Sequence, residues 1–173
     1  MGNHDFDLAF WGEAAAVRRH NFFLRSYNRT NNGKPYYSRV INGCTFIILG
    51  EEVPNGAFSA AQLAWLDGVL SAAGGKPAFV FWHYSLGWGS PIQEVLERYP
   101  NVFFFNGHWH TPLSLYEENG VNYVNLPGLH SHVSDEYHGE GCQVEVYKDR
   151  VLLRGRNYIR GEWLDKSYTV ELN

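Results

Sequence analysis

Two short apolar runs, each followed closely by histidine, constrain the fold of this chain more than any other feature of its sequence. Residues 79–82 read Phe-Val-Phe-Trp and precede His83, and residues 102–105 read Val-Phe-Phe-Phe and lead to the segment Gly107–His110. Continuous apolar runs of this length are typical of strands that are buried on both faces of a sheet. We therefore predict a sheet with central strands that end close to histidine side chains, where α/β proteins place their sites.

The rest of the sequence predicts an α/β (α+β) sandwich in a single domain over residues 1–173. Asn42-Gly43 is a hairpin signal, and Ser59 and Gln62 have the spacing of a helix-capping box. Helices are predicted over residues 10–23, 59–72 and 91–99. Strands are predicted over residues 36–40, 44–49, 78–82, 102–105, 113–116, 121–124, 143–147, 151–158 and 168–172. Helices and strands alternate in the first half, and the second half reads mostly as antiparallel sheet. We therefore expect two packed mixed β-sheets flanked by helices.

Composition and charge exclude several classes of protein. Hydrophobic residues make up 45% of the chain and charged residues 18%, which is typical of a globular fold. The net charge of −4 argues against a dedicated nucleic-acid surface, and no apolar stretch is long enough to span a membrane. A phosphorylated substrate stays compatible with this charge, because bound metal ions would supply positive charge. The 2 cysteines form no Cys-x-x-Cys pair, so a cysteine zinc site is not expected.

Histidine and amide side chains near the predicted strand ends suggest a metal site. One residue separates His108 from His110, and an extended segment with that spacing aims both rings to the same side. Imidazole is a common ligand for zinc, iron and manganese-type sites, so His83, His108 and His110 with the Asn3 amide form a candidate ligand set. Each residue taken singly is weak support, since a lone strand-end histidine is more often a hydrogen-bonded core or rim residue.

The order of three motifs resembles the second half of the calcineurin-like metallophosphoesterase pattern. Gly2-Asn3-His4-Asp5 comes first, His83 follows an apolar strand, and Gly-His-Trp-His stands at residues 107–110. The segment 58–66 is also similar to that family, and the resemblance covers essentially the whole chain. The resemblance implies two packed mixed sheets and a metal-dependent hydrolase of phosphate mono- or diesters.

The same resemblance assigns metal ligands. It implies a centre of two divalent ions, manganese, iron or zinc, in the complete family site. Asn3, His83 and His108 would bind one ion, and His110 would bind the other. The substrate would be a phosphorylated small molecule or a phosphodiester.

Two catalytic residues are implied beside the metals. His4 would lie near the leaving-group oxygen, which a protonated imidazole stabilises or protonates. Asp5 would orient His4, as a carboxylate commonly holds an imidazole.

The chain departs from the family pattern at its start. The motifs D-x-H and G-D-x-x-D, which would precede Gly2, are absent, and with them the first β-α-β unit and several metal ligands. We therefore expect one weakly held metal or none in this chain, and impaired activity. The gap would expose backbone groups and apolar surface, and either a homodimer or a separate partner chain would cover it.

Two other functions compete with an impaired phosphoesterase. One is a catalytically inactive fragment that serves as a binding or interaction module, with its sheet edge and aromatic loops as the contact surface. The other is an aromatic-rich carbohydrate-binding domain, against which the ordered motifs argue. Activity on a phosphodiester with added manganese would separate the enzyme from both.

Two further groups of residues are candidates to contact a substrate. The loop over residues 129–141 contains 3 histidines and 3 acidic residues, but an exposed polar loop explains them better than a metal site does. Within that loop, His130 and His132 could touch substrate. Trp82, Trp88 and Trp109 lie near the motifs and could stack on a nucleobase or sugar, although core packing is favoured for Trp82.

Overall fold

The computed structural model describes residues 14–15, 17–19, 21–22, 34–52, 58–87, 90–129 and 138–173. Residues 14–15, 17–19 and 21–22 are helical, in agreement with the helix predicted over residues 10–23. The elements that follow in the described chain are β1 (Tyr37–Ile41), β2 (Cys44–Ile48), α1 (Ala60–Ala73), β3 (Ala78–Phe81), α2 (Pro91–Leu96), β4 (Val102–Asn106), β5 (Ser114–Glu118), β6 (Val121–Asn125), β7 (Glu140–Val146), β8 (Arg150–Asn157) and β9 (Glu162–Glu171).

The strands form two sheets. Six of them make a mixed sheet in the order β1-β2-β3-β4-β6-β5, in which β2, β3, β4 and β6 are parallel neighbours and the edge strands β1 and β5 are antiparallel. The other three make an antiparallel sheet, β7-β8-β9. The predicted α/β sandwich is confirmed, although the smaller sheet is not mixed. Strand β6 joins the larger sheet parallel to β4, whereas the sequence suggested a mainly antiparallel second half.

Strand β4 shows how the side chains divide between two cores. Val102 and Phe104 face helices α1 and α2 and join the core on that side. Phe103 and Phe105 face the opposite way, into the space between the sheets, where Leu153 of β8 meets them. A strand that is buried on both faces needs no polar alternation, which explains the continuous apolar run in the sequence.

Helix α1 begins at the predicted cap, Ser59, but the Gln62 side chain does not bond back to the Ser59 N–H as in a capping box. Ser59 Oγ accepts a hydrogen bond from the Gln62 N–H at 3.1 Å, and the helix ends at Gly74, which has φ 61°. The Gln62 side chain donates instead to the Gly50 carbonyl at 3.0 Å, and the Ser59 N–H donates to the Glu52 carboxylate at 3.3 Å. Buried Gln62 therefore ties helix α1 to the chain just after β2.

The second helix is shorter than predicted. It ends at Leu96 and not at Tyr99, because the chain turns there. The Tyr99 hydroxyl donates to the Asp67 carboxylate of α1 at 2.9 Å, which holds the turn against the first helix. No helix in the described part of the chain is long and apolar enough to cross a membrane.

Two strands of the smaller sheet begin earlier than predicted. Strand β9 begins at Glu162 and not at Tyr168, and β7 begins at Glu140 and not at Gln143. The added residues are mostly polar or glycine, so apolar alternation does not reveal them. Pairing with β8 forms these strand ends, which is a tertiary effect.

Candidate metal site

The predicted site lies at the carboxyl ends of strands β3 and β4. His83 follows β3, and the segment Gly107–His110 follows β4. The Gly107 N–H donates to the His83 carbonyl at 3.0 Å, which joins the two segments. Because β3 and β4 are parallel neighbours, both histidine-bearing segments leave the sheet at the same edge.

The side chains of His83 and His108 meet directly. Nε2 of His83 lies 3.1 Å from Nδ1 of His108, and the ring planes are inclined at 74°. Two nitrogen ligands at about 2.0–2.1 Å from one ion are about 2.9–3.4 Å apart, depending on whether the angle between them is a right angle or tetrahedral. The observed separation is a hydrogen-bond distance between the two rings, and it also fits two ligands of a single transition-metal ion.

The backbone of the last motif is turned, not extended. His108 has φ 72° and His110 has φ 51°, both in the left-handed region. The Trp109 N–H donates to the Gly107 carbonyl at 2.9 Å, which closes a tight turn after β4. The expectation that an extended segment aims both rings to the same side is therefore wrong. A left-handed non-glycine residue costs roughly 1–2 kcal/mol, so the surrounding contacts must hold this turn.

Aromatic rings and a hydroxyl group supply those contacts. The Tyr84 ring lies 4.8 Å from the His83 ring and 4.7 Å from the His108 ring, measured between centroids. The Trp109 indole is 61% exposed, and its Nε1 donates to Ser85 Oγ at 3.0 Å. The sequence singled out Trp109 as a candidate, and it signals Tyr84 and Ser85 only by their position in the loop directly after His83.

The phenol of Tyr84 stays protonated beside the histidine pair. Burial raises the pKa of Tyr84, and the negative charge of Glu51 raises it further. Glu51 itself is buried. At neutral pH Tyr84 is therefore a neutral hydrogen-bond donor at the edge of the site.

A pocket of about 520 Å³ opens beside Tyr84. Trp82 packs against the core on the helix side, as the sequence favoured, and it also lines this pocket. Its buried Nε1 has no hydrogen-bond partner in the structure as described. The other walls are mainly apolar, with one carboxylate, and include Glu51, Phe58, Leu86, Pro91 and Ile92.

Only part of the predicted site can be located. Outside the described residues lie Asn3, His4, Asp5, Trp88, His130 and His132. Within the described ranges, no group of three or more His, Cys, Asp or Glu side chains is arranged to hold a metal ion. Binding of a second ion by His110, and the roles assigned to the unlocated residues, therefore stay predictions.

The end of the polar loop differs from its prediction. Glu140 is the first residue of β7 and is buried, so it does not belong to an exposed loop. The His138 carbonyl accepts a hydrogen bond from Asn157 of β8 at 2.9 Å. This end of the loop is therefore anchored to the smaller sheet.

Comparison with known proteins gives one relative in sequence and several in structure. No protein-family model matches the chain. A manganese-dependent ADP-ribose/CDP-alcohol diphosphatase from Danio rerio is 27% identical over 124 residues, which cover 61% of this chain and 36% of that protein. A dimetal phosphatase from Danio rerio superposes with a TM-score of 0.67 at 18% identity, over 99% of this chain and 71% of the other. A purple acid phosphatase from yellow lupin seeds superposes with a TM-score of 0.59 at 15% identity, and the superposition covers 82% of this chain and 33% of that protein.

The chain spans about a third of the length of the curated relative that it matches, which has further sequence beyond the aligned part. The structural likeness establishes the fold, and the aligned relative adds likeness in sequence. The ordered motifs at residues 2–5, 83 and 107–110 are those that the resemblance rested on. Taken together, these observations show that the chain has the fold of the two phosphatase structures and is similar in sequence to a manganese-dependent diphosphatase.

Proposed function

We propose that this chain is part of a metal-dependent phosphoesterase that hydrolyses phosphate mono- or diesters. The observation that carries the proposal is the 3.1 Å approach of His83 Nε2 to His108 Nδ1 at the ends of two adjacent parallel strands. The Danio rerio proteins to which the chain is similar are described as manganese-dependent and as dimetal. A divalent transition metal such as manganese is therefore the proposed ion.

The histidines would hold the metal. His83 and His108, with the amide oxygen of Asn3, would bind one ion, and His110 would bind a second. Such an ion supplies Lewis-acid chemistry to a phosphoryl oxygen and lowers the pKa of water. Neutral imidazoles suit this role, since a protonated ring has no lone pair to offer.

The remaining side chains would place the ester and move a proton. His4 would donate a proton to the departing oxygen, and Asp5 would orient the His4 ring. The Tyr84 phenol, neutral and adjacent to both imidazoles, would donate a hydrogen bond to a phosphoryl oxygen.

The pocket beside Tyr84 favours an ester with an apolar or aromatic group next to its phosphate. The Glu51 carboxylate would accept a hydrogen bond from a donor on that group. The sequence relative is a diphosphatase of ADP-ribose and CDP-alcohols by name, and such compounds carry a planar base of this kind. We propose nucleotide-like esters as the first substrates to test.

A binding or interaction module without catalysis is the second candidate. Among the described residues no three-ligand group is present, and the chain covers 36% of its relative. Both observations favour low activity when the chain acts alone.

The test is hydrolysis of bis(p-nitrophenyl) phosphate with added manganese. We expect His83→Ala and His108→Ala to lower any manganese-dependent turnover by about 100-fold or more, because each removes a ligand. His20→Ala, outside the three motifs, is the matched control and should not change the rate. Turnover that persists in either ligand variant would contradict the site, and no turnover in the unaltered chain would favour the second candidate.

A further inference from the structure

A short arch of the chain carries the last histidine motif. Residues 107–113, which form this arch, connect the end of β4 to the start of β5. In the larger sheet β6 lies between these two strands, so the arch passes over the carboxyl end of β6. Asn125 is the last residue of β6, and its register partners are Asn106 of β4 and Ser114 of β5. Asn125 therefore lies beneath the arch, between its two ends.

The Asn125 side chain bonds to both limbs of the arch. On the outgoing limb, next to β4, its Oδ1 accepts a hydrogen bond from Asn106 Nδ2 at 3.2 Å. On the returning limb, its Nδ2 donates to Thr111 Oγ1 at 2.9 Å and to the carbonyls of Thr111 and Pro112 at 3.2 Å each. The amide nitrogen carries two hydrogens, so the three acceptors share them. One side chain thus joins the residue before the arch to its returning limb.

The outgoing limb leads from Asn106 to His108. Asn106 is 7% exposed, and its Nδ2 also donates to the Gly107 carbonyl at 3.3 Å. The same carbonyl accepts a hydrogen bond from the Trp109 N–H at 2.9 Å, which closes the turn around His108. A continuous set of hydrogen bonds therefore links Asn125 to the turn that carries His108.

The returning limb fixes the other side of that turn. His108 and His110 have φ 72° and 51°, and residues keep this left-handed conformation only where surrounding contacts hold them. Thr111 follows His110 directly, so the bonds from Asn125 to Thr111 limit how far the returning limb can move. Leu113 is fully buried between the sheets and fixes the end of the arch. Loss of the Asn125 amide would therefore loosen the arch between its ends, where the two histidines lie.

We propose that Asn125 is a positioning residue, which holds His108 against His83 by fixing both limbs of the arch. Its contribution to metal binding rests on the proposed function, because that function requires the two rings to share an ion. Its contribution to the contact between the rings does not. The alternative is a purely stabilising role, in which loss of Asn125 lowers stability and leaves the ring contact as it is.

The test compares Asn125→Leu with Asn122→Leu by NMR of the metal-free chain. Leucine is similar in size to asparagine but has no side-chain hydrogen-bonding group. In Asn125→Leu we expect the nuclear Overhauser contact between the His83 and His108 rings to weaken several-fold. We also expect the Gly107 amide hydrogen, which bonds to the His83 carbonyl, to exchange about tenfold faster.

Asn122 gives the matched control. It is also on β6 and 7% exposed, but its Nδ2 donates to the Val102 carbonyl at 3.4 Å, near the other end of the strand. Asn122→Leu should leave the ring contact and the Gly107 exchange unchanged, whatever its effect on stability. If Asn125→Leu does not fold, Thr111→Val takes its place. This variant removes the hydroxyl acceptor at an exposed position and should weaken the ring contact in the same direction.

Zinc calorimetry tests the contribution to metal binding. Asn125→Leu should bind zinc about tenfold more weakly than the unaltered chain, and Asn122→Leu should bind it equally well. Equal affinity in Asn125→Leu and the unaltered chain would overturn this contribution. An unaltered chain that binds no zinc would contradict the proposed function, and the ring contact in the metal-free chain would still decide the role of Asn125.

Two results would overturn the positioning role. One is a ring contact and a Gly107 exchange rate that are the same in Asn125→Leu, or in Thr111→Val where that variant replaces it, as in the unaltered chain. The other is an equal loss of the ring contact in Asn122→Leu, which would show a general effect of stability and not positioning by Asn125.

Discussion

At the scale of single residues, the site depends on two imidazoles that touch and on a backbone that turns. The positions of His83 and His108 could be predicted, because each follows an apolar run that ends at one sheet edge. In the structure the two rings meet, with His83 Nε2 3.1 Å from His108 Nδ1. The left-handed φ of His108 and His110 could not be predicted, since a His-x-His pattern does not distinguish an extended segment from a turn.

The hydrogen bond between Trp109 and Ser85 should matter for metal binding. Ser85→Ala removes the acceptor of the Trp109 Nε1–H, and we expect zinc affinity to fall about tenfold as the turn carrying His108 loosens. Ser114→Ala, an exposed serine on β5, is the control. Equal zinc affinity in the two variants, measured by calorimetry, would show that this bond does not support the site.

The Cys142 thiol should make stability depend on pH. Burial raises its pKa from 9.0 to about 11. The folded chain holds this proton more tightly, so the stabilisation is full below pH 9.0 and is lost as the pH rises through about 11. Urea unfolding across this interval should show a loss about 2 kcal/mol larger in the unaltered chain than in Cys142→Ser. The same pH dependence in both proteins would contradict this reasoning.

At the scale of elements, the link between β2 and helix α1 supports the neighbourhood of the site. The Gln62 side chain bonds to the Gly50 backbone, directly before Glu51 of the pocket. The hairpin of β1 and β2, the cap at Ser59 and the strands β3 and β4 could all be predicted, because each has a local signal. The role of Gln62 and the start of β9 could not, because both depend on partners distant in the sequence.

Two glycines near this link should respond in opposite ways to alanine. A Cβ on Gly50 would collide with the Pro35 carbonyl, so we expect Gly50→Ala to lower the unfolding free energy by roughly 2 kcal/mol. A Cβ on Gly68 would meet nothing within 4 Å on helix α1, so Gly68→Ala should raise it by about 1 kcal/mol. Chemical denaturation measures both, and a destabilised Gly68→Ala would contradict the helix assignment there.

At the scale of the whole molecule, the fold extends over nearly the whole chain, whereas the described residues contain only part of the predicted ligand set. The chain shares the fold of a dimetal phosphatase over 99% of its length, yet it spans only 36% of the length of its sequence relative. The predicted gap, and the homodimer or partner chain that would cover it, stay predictions. The order of the strands in the larger sheet could not be predicted, because it depends on tertiary pairing.

A weak metal site should add little stability to the whole chain. At ten times the dissociation constant, an ion that binds only the folded state adds about 1.4 kcal/mol. For a chain of this size that corresponds to a rise in Tm of about 3–6 °C. We expect manganese to produce such a rise in thermal unfolding and His83→Ala to abolish it. A rise of the same size in His83→Ala would mean that manganese binds elsewhere.

The most direct test of the central claim is a zinc titration followed by the imidazole nitrogen signals of the histidines in NMR. If His83 and His108 are two ligands of one ion, their signals should shift together along one binding curve, and the His108 shift should vanish in His83→Ala. The ring signals of His20 should not move. Shifts confined to other histidines, or none for His83 and His108 at any zinc concentration, would contradict the account.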